Sequence, residues 1–499
     1  MSGNRNNNAE YDKRYTNRVM MLLAFIVIVV MYVEGMLTPS LPSIASEFKV
    51  SSSQVSLVLS SYLVGGVALT PIVGKLGDIY GKKKMLSISL IVYAIFVSVT
   101  GFSPSFSFMV VSRTIQGIGL TILPLGMSLI REEFPKEVIP KAQALISAMF
   151  GAGFAISLPL GSLVSNDFGW RWTYHSAVPF VILGTVISIL IIRESKFKRP
   201  QVKVDYIGAS VLALLLGLFV FALSQGPVWG WTSYSVVGMF IASALLLAPL
   251  VYYEFKYTKK GGEAILNFRL LAERNVLVTN LAIVISGMGM FLAMQALTYR
   301  FELPVPAGLG KSILGTGLSL VPFAVGMIIF APITGHYISR VGVKPFAILG
   351  SIVAAAGFLF QSYIPSYTSV MLLEFVTGAG LSMLNASIIN YLILTVDPRD
   401  MGLATAMNGT FRSVGSAIGA PVAGSLLSTF TASYIVGYVG GHPITEVFPS
   451  HFAFYYAFII AAIAFFAGVV IIFLGKEVLG KRSVSEDKKS MFEVDFQPK

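Results

Sequence analysis

Residues 53–84 read SQVSLVLSSYLVGGVALTPIVGKLGDIYGKKK. From Ser53 to Gly74 there is no charged side chain. At ~1.5 Å per residue such a helix crosses the ~30 Å of a bilayer's hydrocarbon. The run ends in a short loop holding Lys75, Asp78, Lys82, Lys83 and Lys84, with Gly74 and Gly81 on either side of the acid. An apolar run closed by a basic loop is the pattern of a membrane-spanning helix that emerges on the cytoplasmic face.

The pattern recurs along all 499 residues. Apolar runs lie near 19–41, 53–74, 85–102, 106–130, 142–164, 173–192, 206–225, 234–254, 275–298, 311–334, 343–363, 367–395, 402–430 and 452–475, which predicts fourteen spans. Composition agrees: 55% of residues are hydrophobic and 12% charged, against roughly 25% charged in soluble proteins. So few charges cannot cover a large water-soluble body, whereas a lipid-facing surface needs none. The net charge of +12 is read as topology, not nucleic-acid binding, because the basic residues sit in short loops. With the amino terminus inside, the outer loops receive Lys49, Arg171, Arg300 and Lys311, and Arg113 and Arg412 fall within spans. The other Lys and Arg residues are then on the inner side. That asymmetry places both termini in the cytoplasm and favours an even number of spans. Cysteine is absent, which excludes disulfides, thiol nucleophiles and Cys-ligated metal. The four histidines show no metal-ligand spacing. Gly308-Leu-Gly310-Lys311-Ser312 ends like a phosphate loop but has Val305 where the first glycine belongs. No cofactor and no metal are expected.

The loop after the second run has a counterpart. Gly74 to Gly335, Gly81 to Gly342, Gly117 to Gly378 and Gly119 to Gly380 are each separated by 261 residues. A duplicated six-helix unit explains the common offset, with two helices inserted between the copies. The expected architecture is an all-α integral membrane protein with two six-helix bundles related by a pseudo-twofold axis. Residues 1–195 form the first bundle, 196–272 the two inserted helices and their loops, 273–480 the second bundle and 481–499 a cytoplasmic tail.

Gly74-x-Leu76-x-Asp78-x-x-Gly81-Lys82-Lys83 resembles the loop 2–3 signature of the major facilitator superfamily. Arg113-x-x-Gln116-Gly117-x-Gly119 resembles its helix 4 signature. Gly169-Trp170-Arg171-Trp172-Thr173-Tyr174, Asp205-Tyr206-Ile207-Gly208 and Gln225-Gly226-Pro227-x-Trp229-Gly230-Trp231 are similar to segments of its fourteen-helix drug:proton antiporter branch. Helix 5 reads Leu158-Pro159-Leu160-Gly161-Ser162-Leu163 where that branch carries Gly-Pro-x-x-Gly-Gly. The resemblance implies alternating access and a loop around Asp78 that latches an inner gate.

Ionisable groups inside spans are expensive and mark function. Glu34 lies 16 residues after Arg18, or ~24 Å along helix 1, where it could bind a proton or a cationic substrate. Arg113 stands at comparable depth on helix 4 and is its expected counter-ion. Glu374, at the 261 offset from Arg113, is expected to pair with Arg412. Gln116, Gln295, Asn385, Asn390 and Asn408 could line a cavity, or could join helices. Asp78 could pair with a neighbouring lysine or oppose a helix N-terminus of the other half. Gly153, Pro159 and Gly161 permit close packing and a bend in helix 5. The residues point to a proton-coupled exporter of hydrophobic or cationic small molecules, monomeric and in the plasma membrane. A proton symporter importing a metabolite and a non-transporting membrane sensor are the alternatives. An enzyme is not expected.

Overall fold

The structure is a computed structural model. It describes residues 13–135, 138–194, 198, 204–262, 264–363, 366–397, 400–439 and 442–478. The expected tail at 481–499 and Lys136, Lys196 and Arg199 lie outside the described residues.

Twelve helices among the described residues are long and apolar enough to cross a membrane. In chain order, with two further helices included, they are labelled α1 to α14. These are α1 Lys13–Phe48, α2 Ser52–Tyr80, α3 Lys82–Thr100, α4 Phe106–Glu133, α5 Ile139–Phe168, α6 Trp170–Ile191, α7 Tyr206–Trp229 and α8 Tyr234–Lys259. The remainder are α9 Arg274–Glu302, α10 Ile313–Ile338, α11 Val343–Tyr363, α12 Tyr367–Thr395, α13 Met401–Thr429 and α14 His451–Phe473. The two additions are α5 and α13, 30 and 29 residues long. They pack along α1 and α9 respectively.

Glycine sets the sharpest reversals. Gly81 and Gly342 adopt φ of +112° and +105°, where a side chain is strained, and α3 and α11 start directly after them. Several helices are apolar around much of their circumference. Leu245, Leu247 and Tyr252 of α8 and Ile463 and Val470 of α14 are exposed, as lipid-facing side chains should be.

Packing repeats within the first and last six helices. α1 packs on α5 and α6, as α9 packs on α13 and α14; α2 packs on α4, as α10 on α12; α3 packs on α6, as α11 on α14. The register is the 261-residue offset. A Cβ on Gly117 would lie 2.4 Å from the Tyr62 carbonyl, and one on Gly378 would lie 2.1 Å from the Phe323 carbonyl. Gly65 meets the Thr114 carbonyl and Gly326 the Phe375 carbonyl in the same way. Glycine allows these backbones to touch where a methyl group would force them apart.

Contact between the two sets is also reciprocal: α2 packs on α13, and α5 packs on α10. α7 lies against both α2 and α13, and α8 packs on α7. One element was not anticipated. Thr431–Val439 (β1) and His442–Pro449 (β2) form an antiparallel hairpin between α13 and α14. Its signal was present in Thr431, Tyr434, Ile435, Tyr438 and Val439, residue types that favour strands.

Candidate functional site

The structure brings Glu34, Arg113 and Arg412 together. Glu34 closes the first helical stretch of α1, before the chain tightens into a 3-10 turn at Thr38–Ser40. It is 6% exposed. Its strongest electrostatic neighbour is Arg412 of α13, followed by Arg113 of α4. Glu34 therefore faces a cation from each set of six helices. Its Oε2 has no hydrogen-bond partner among the described residues.

Arg113 is fully buried. Its Nε donates to the Val58 carbonyl at 2.9 Å and its Nη1 to Gln116 Oε1 at 2.6 Å. The guanidinium lies 4.6 Å from the centre of the Tyr62 ring. Tyr93 and Tyr174, both buried, stand beside it. The site thus holds three tyrosines that charge reasoning missed; their signal was a phenol within an otherwise apolar span.

Glu374 does not pair with Arg412 as expected. Its charged neighbour is Arg300 of α9. Arg300 itself was assigned to an outer loop, whereas it is 6% exposed within α9. The reason is local. The chain after Glu302 folds back, with the amides of Leu309 and Lys311 donating to the carbonyls of Arg300 and Phe301 at 2.9 and 2.8 Å, and this covers the helix end. Arg300 Nη1 donates to the Gln361 carbonyl at 2.7 Å, and its guanidinium lies 5.7 Å from the Phe458 ring. Both carboxylate oxygens of Glu374 lack a hydrogen-bond partner among the described residues.

The polar candidates mainly join helices. Gln295 donates to the Ser52 carbonyl at 2.9 Å, Asn408 to Asn280 at 3.2 Å, and Asn385 accepts from Ser286 at 2.7 Å. Asn390 bonds within its own helix, to Ala386. Gly153 and Gly161 of α5 do what close packing requires. A Cβ would sit 2.8 Å from the Ile28 carbonyl and 2.5 Å from the Met36 carbonyl of α1. Pro159 lies inside α5 between them.

The loop expected around Asp78 is almost entirely helical: Lys75 and Asp78 lie in the last turns of α2, Lys82 opens α3 and Gly81 stands between. Asp78 pairs with Lys82 at 3.3 Å, and Lys82 also bonds Glu132 at the end of α4. Of the two roles open to Asp78, the structure shows the lysine partner. Gly74 has nothing within 4 Å of an added Cβ, whereas one on Gly81 would lie 2.4 Å from Glu194. Glu194 accepts the amides of Lys83 and Lys84, both at 3.2 Å, and Glu477 accepts those of Val343 and Lys344 at 3.0 and 3.3 Å. Carboxylates at these two helix N-termini satisfy amides that have no partner within the helix.

Among the described residues, hydrogen bonds cross between α1–α6 and α9–α14 at the end away from the termini. Ser52 bonds Ser428 at 2.8 Å, Ser43 donates to Glu302 at 3.3 Å, and the Leu314 amide donates to Asn166 at 3.5 Å.

A sequence profile of the Major Facilitator Superfamily matches residues 23–294 and 279–495. An uncharacterised MFS-type transporter of Mycobacterium tuberculosis is 28% identical over 422 residues, covering 83% of this chain; the chain spans 60% of that relative's length. Multidrug resistance protein 3 of Bacillus subtilis is 28% identical over 385 residues, 75% of this chain and 73% of the relative. Among solved structures, a bacterial homologue of the human lysosomal transporter Spinster, inward-facing and occupied, aligns with a TM-score of 0.65 at 13% identity. It covers 93% of this chain and 97% of that one. The nucleoside transporter NupG, solved as a point mutant, aligns at 0.62 and 13% identity over 92% of this chain and 100% of that one. At such identity the structural likeness concerns the fold alone. With its profile match over most of its length and its many apolar helices, the chain belongs to the major facilitator superfamily and is a multi-pass membrane protein.

Proposed function

We propose that the protein is a proton-coupled exporter of hydrophobic or cationic small molecules, working by alternating access as a monomer. It belongs by this reading to the fourteen-helix drug:proton antiporter branch. α5 and α13 are counted as spans with the other twelve helices. Residues 1–195 and 273–480 are the two moving units, α7 and α8 are the insertion, and both termini face the cytoplasm of the cell membrane.

Glu34 carries the reading. A nearly buried carboxylate between cations of both units has two ways to lose its charge or its partner: a proton, or a competing charge on the substrate. Protonating Glu34 removes the attraction to Arg412 that spans the units, so proton occupancy biases which face is open. The closed contacts at the end away from the termini suit a transporter resting open to the cytoplasm. Asp78, Gly81, Lys82 and Lys83, at the junction of α2 and α3, form the gate on that side.

Reconstitution into liposomes with an imposed pH gradient and a panel of lipophilic cationic dyes tests the proposal. Dye should move against its own gradient when protons run the other way. Flux that ignores the pH gradient would exclude proton coupling and leave a carrier driven by the substrate gradient.

A further inference from the structure

α7 and α8 take no part in the charge pairs above, yet they bury two acids. Asp205 caps α7, its Oδ1 accepting the Gly208 amide at 2.8 Å. It is 4% exposed. Glu254, near the end of α8, is fully buried. The acids meet over Gly208, where a Cβ would lie 2.4 Å from Asp205 Oδ2 and 2.6 Å from Glu254 Oε1. Any larger residue at 208 would push them apart. The two carboxyl groups meet each other, Tyr253 reaches Asp205, and the backbone amides of Ile265 and Leu266 point at Glu254.

Two carboxylates this close in a poorly hydrated place do not both stay ionised. A proton held between them converts repulsion into a short, charge-assisted O–H···O bond. The surroundings suit a proton. Tyr253 and Tyr257 of α8 face the pair. The chain at Ala264, Ile265 and Leu266 folds over Glu254 and brings no titratable side chain. Arg269 of the short helix Phe268–Leu271 is exposed. α2 and α13, which pack on α7, carry Lys75, Asp78 and Asp400 at their ends nearest the termini.

We propose that Asp205 and Glu254 share a single proton and so form a second proton-binding site, separate from Glu34, that clasps α7 to α8. Because α7 lies against both α2 and α13, the clasp steadies a helix that touches both moving units. When the proton leaves, the like charges separate and the inner ends of α7 and α8 loosen. The clasp holds whether or not Glu34 couples transport to protons.

The test uses the full chain in detergent. The folded protein holds a proton that its unfolded chain lacks at neutral pH, so stability must fall as pH rises, by up to about tenfold in the folded-to-unfolded ratio per pH unit. The melting temperature of the wild type should therefore drop from mildly acidic to mildly alkaline pH. Glu254→Gln should flatten that profile, since an amide donates to Asp205 without titrating. Asp205→Asn should flatten it too, and serves alone if the first variant does not fold. Infrared spectra should lose one protonated-carboxyl C=O band in either variant. Profiles identical in all three proteins would overturn the proposal. So would stabilisation of the wild type, but not of Glu254→Gln, by sodium, potassium, magnesium or calcium at alkaline pH, because the pair would then hold a metal ion.

Discussion

Gln361 of α11 donates its side-chain amide to the Thr377 hydroxyl of α12 across 3.5 Å. At the 261-residue offset, Gln116 of α4 donates to Thr100 of α3 across the same distance with the two residue types exchanged. The geometry is the same and the chemistry has changed sides. At the same offset Glu374 stands where Arg113 does, with the sign of the charge reversed. Arg113 faces Glu34 on α1, and Glu374 faces Arg300 on α9. Each set of six helices thus carries opposite buried charges on its first and fourth members, with the polarity reversed between the sets. Arg412 adds a third cation that faces Glu34 from the other set.

Glu34→Gln should abolish transport driven by a pH gradient while downhill substrate exchange persists. Glutamine has the size and much of the hydrogen bonding of a protonated glutamate but cannot exchange a proton. Flux in liposomes with and without an imposed gradient separates the two activities. Gradient-driven transport at the normal rate in the variant would move coupling elsewhere, with Glu374→Gln the next variant to measure.

Arg300→Gln should destabilise the protein by about 3–5 kcal/mol, because it strands Glu374 in the interior. Adding Glu374→Gln should restore most of the loss. Thermal unfolding of the two single variants and the double variant gives the coupling energy directly. Arg412→Gln combined with Glu374→Gln should be additive, as the two residues belong to different pairs. Coupling in that second cycle would reinstate the Glu374–Arg412 partnership expected from the sequence.

Gly424 lies at the closed end, where a Cβ would approach the Ser52 carbonyl to 2.5 Å. Gly424→Val should wedge this end apart and shift the population toward the opposite-facing state. The chain has no cysteine, so Ser428→Cys gives a single reporter. A membrane-impermeant maleimide should label it several-fold faster when Gly424→Val is also present. Unchanged labelling would mean that the contact yields without opening the units.

Asp78→Asn should slow turnover and leave the half-saturating substrate concentration within a few-fold of normal. The acid shares Lys82 with Glu132, so its loss alters the tie between α2 and α4 and touches no substrate. Steady-state flux at several dye concentrations measures both quantities. A normal maximal rate would reduce Asp78 to an ordinary charge at a helix end.

The long apolar runs and the basic loops were legible because a bilayer imposes length and charge rules on each helix separately. Gly117 and Gly378 were legible as a repeat for a related reason: a backbone contact as close as theirs requires glycine at both places. Glu34 and Arg113 stood out because charges are rare in spans. The partners were harder to read. Depth along a helix does not say which way a side chain faces, and Arg300 looked like a loop residue because the chain that covers it lies beyond the end of the apolar run.

By itself, then, the sequence determined that this is a membrane protein built on apolar helices with an internal repeat, and which few buried charges it must accommodate. Each of those properties follows from one helix at a time meeting lipid. Tertiary structure decided that Arg412 faces Glu34, that Arg300 faces Glu374, and that Asp205 meets Glu254 over Gly208. Those facts depend on the rotation of each helix about its axis and on which helices become neighbours. Packing across the whole bundle sets both, and no single segment encodes either.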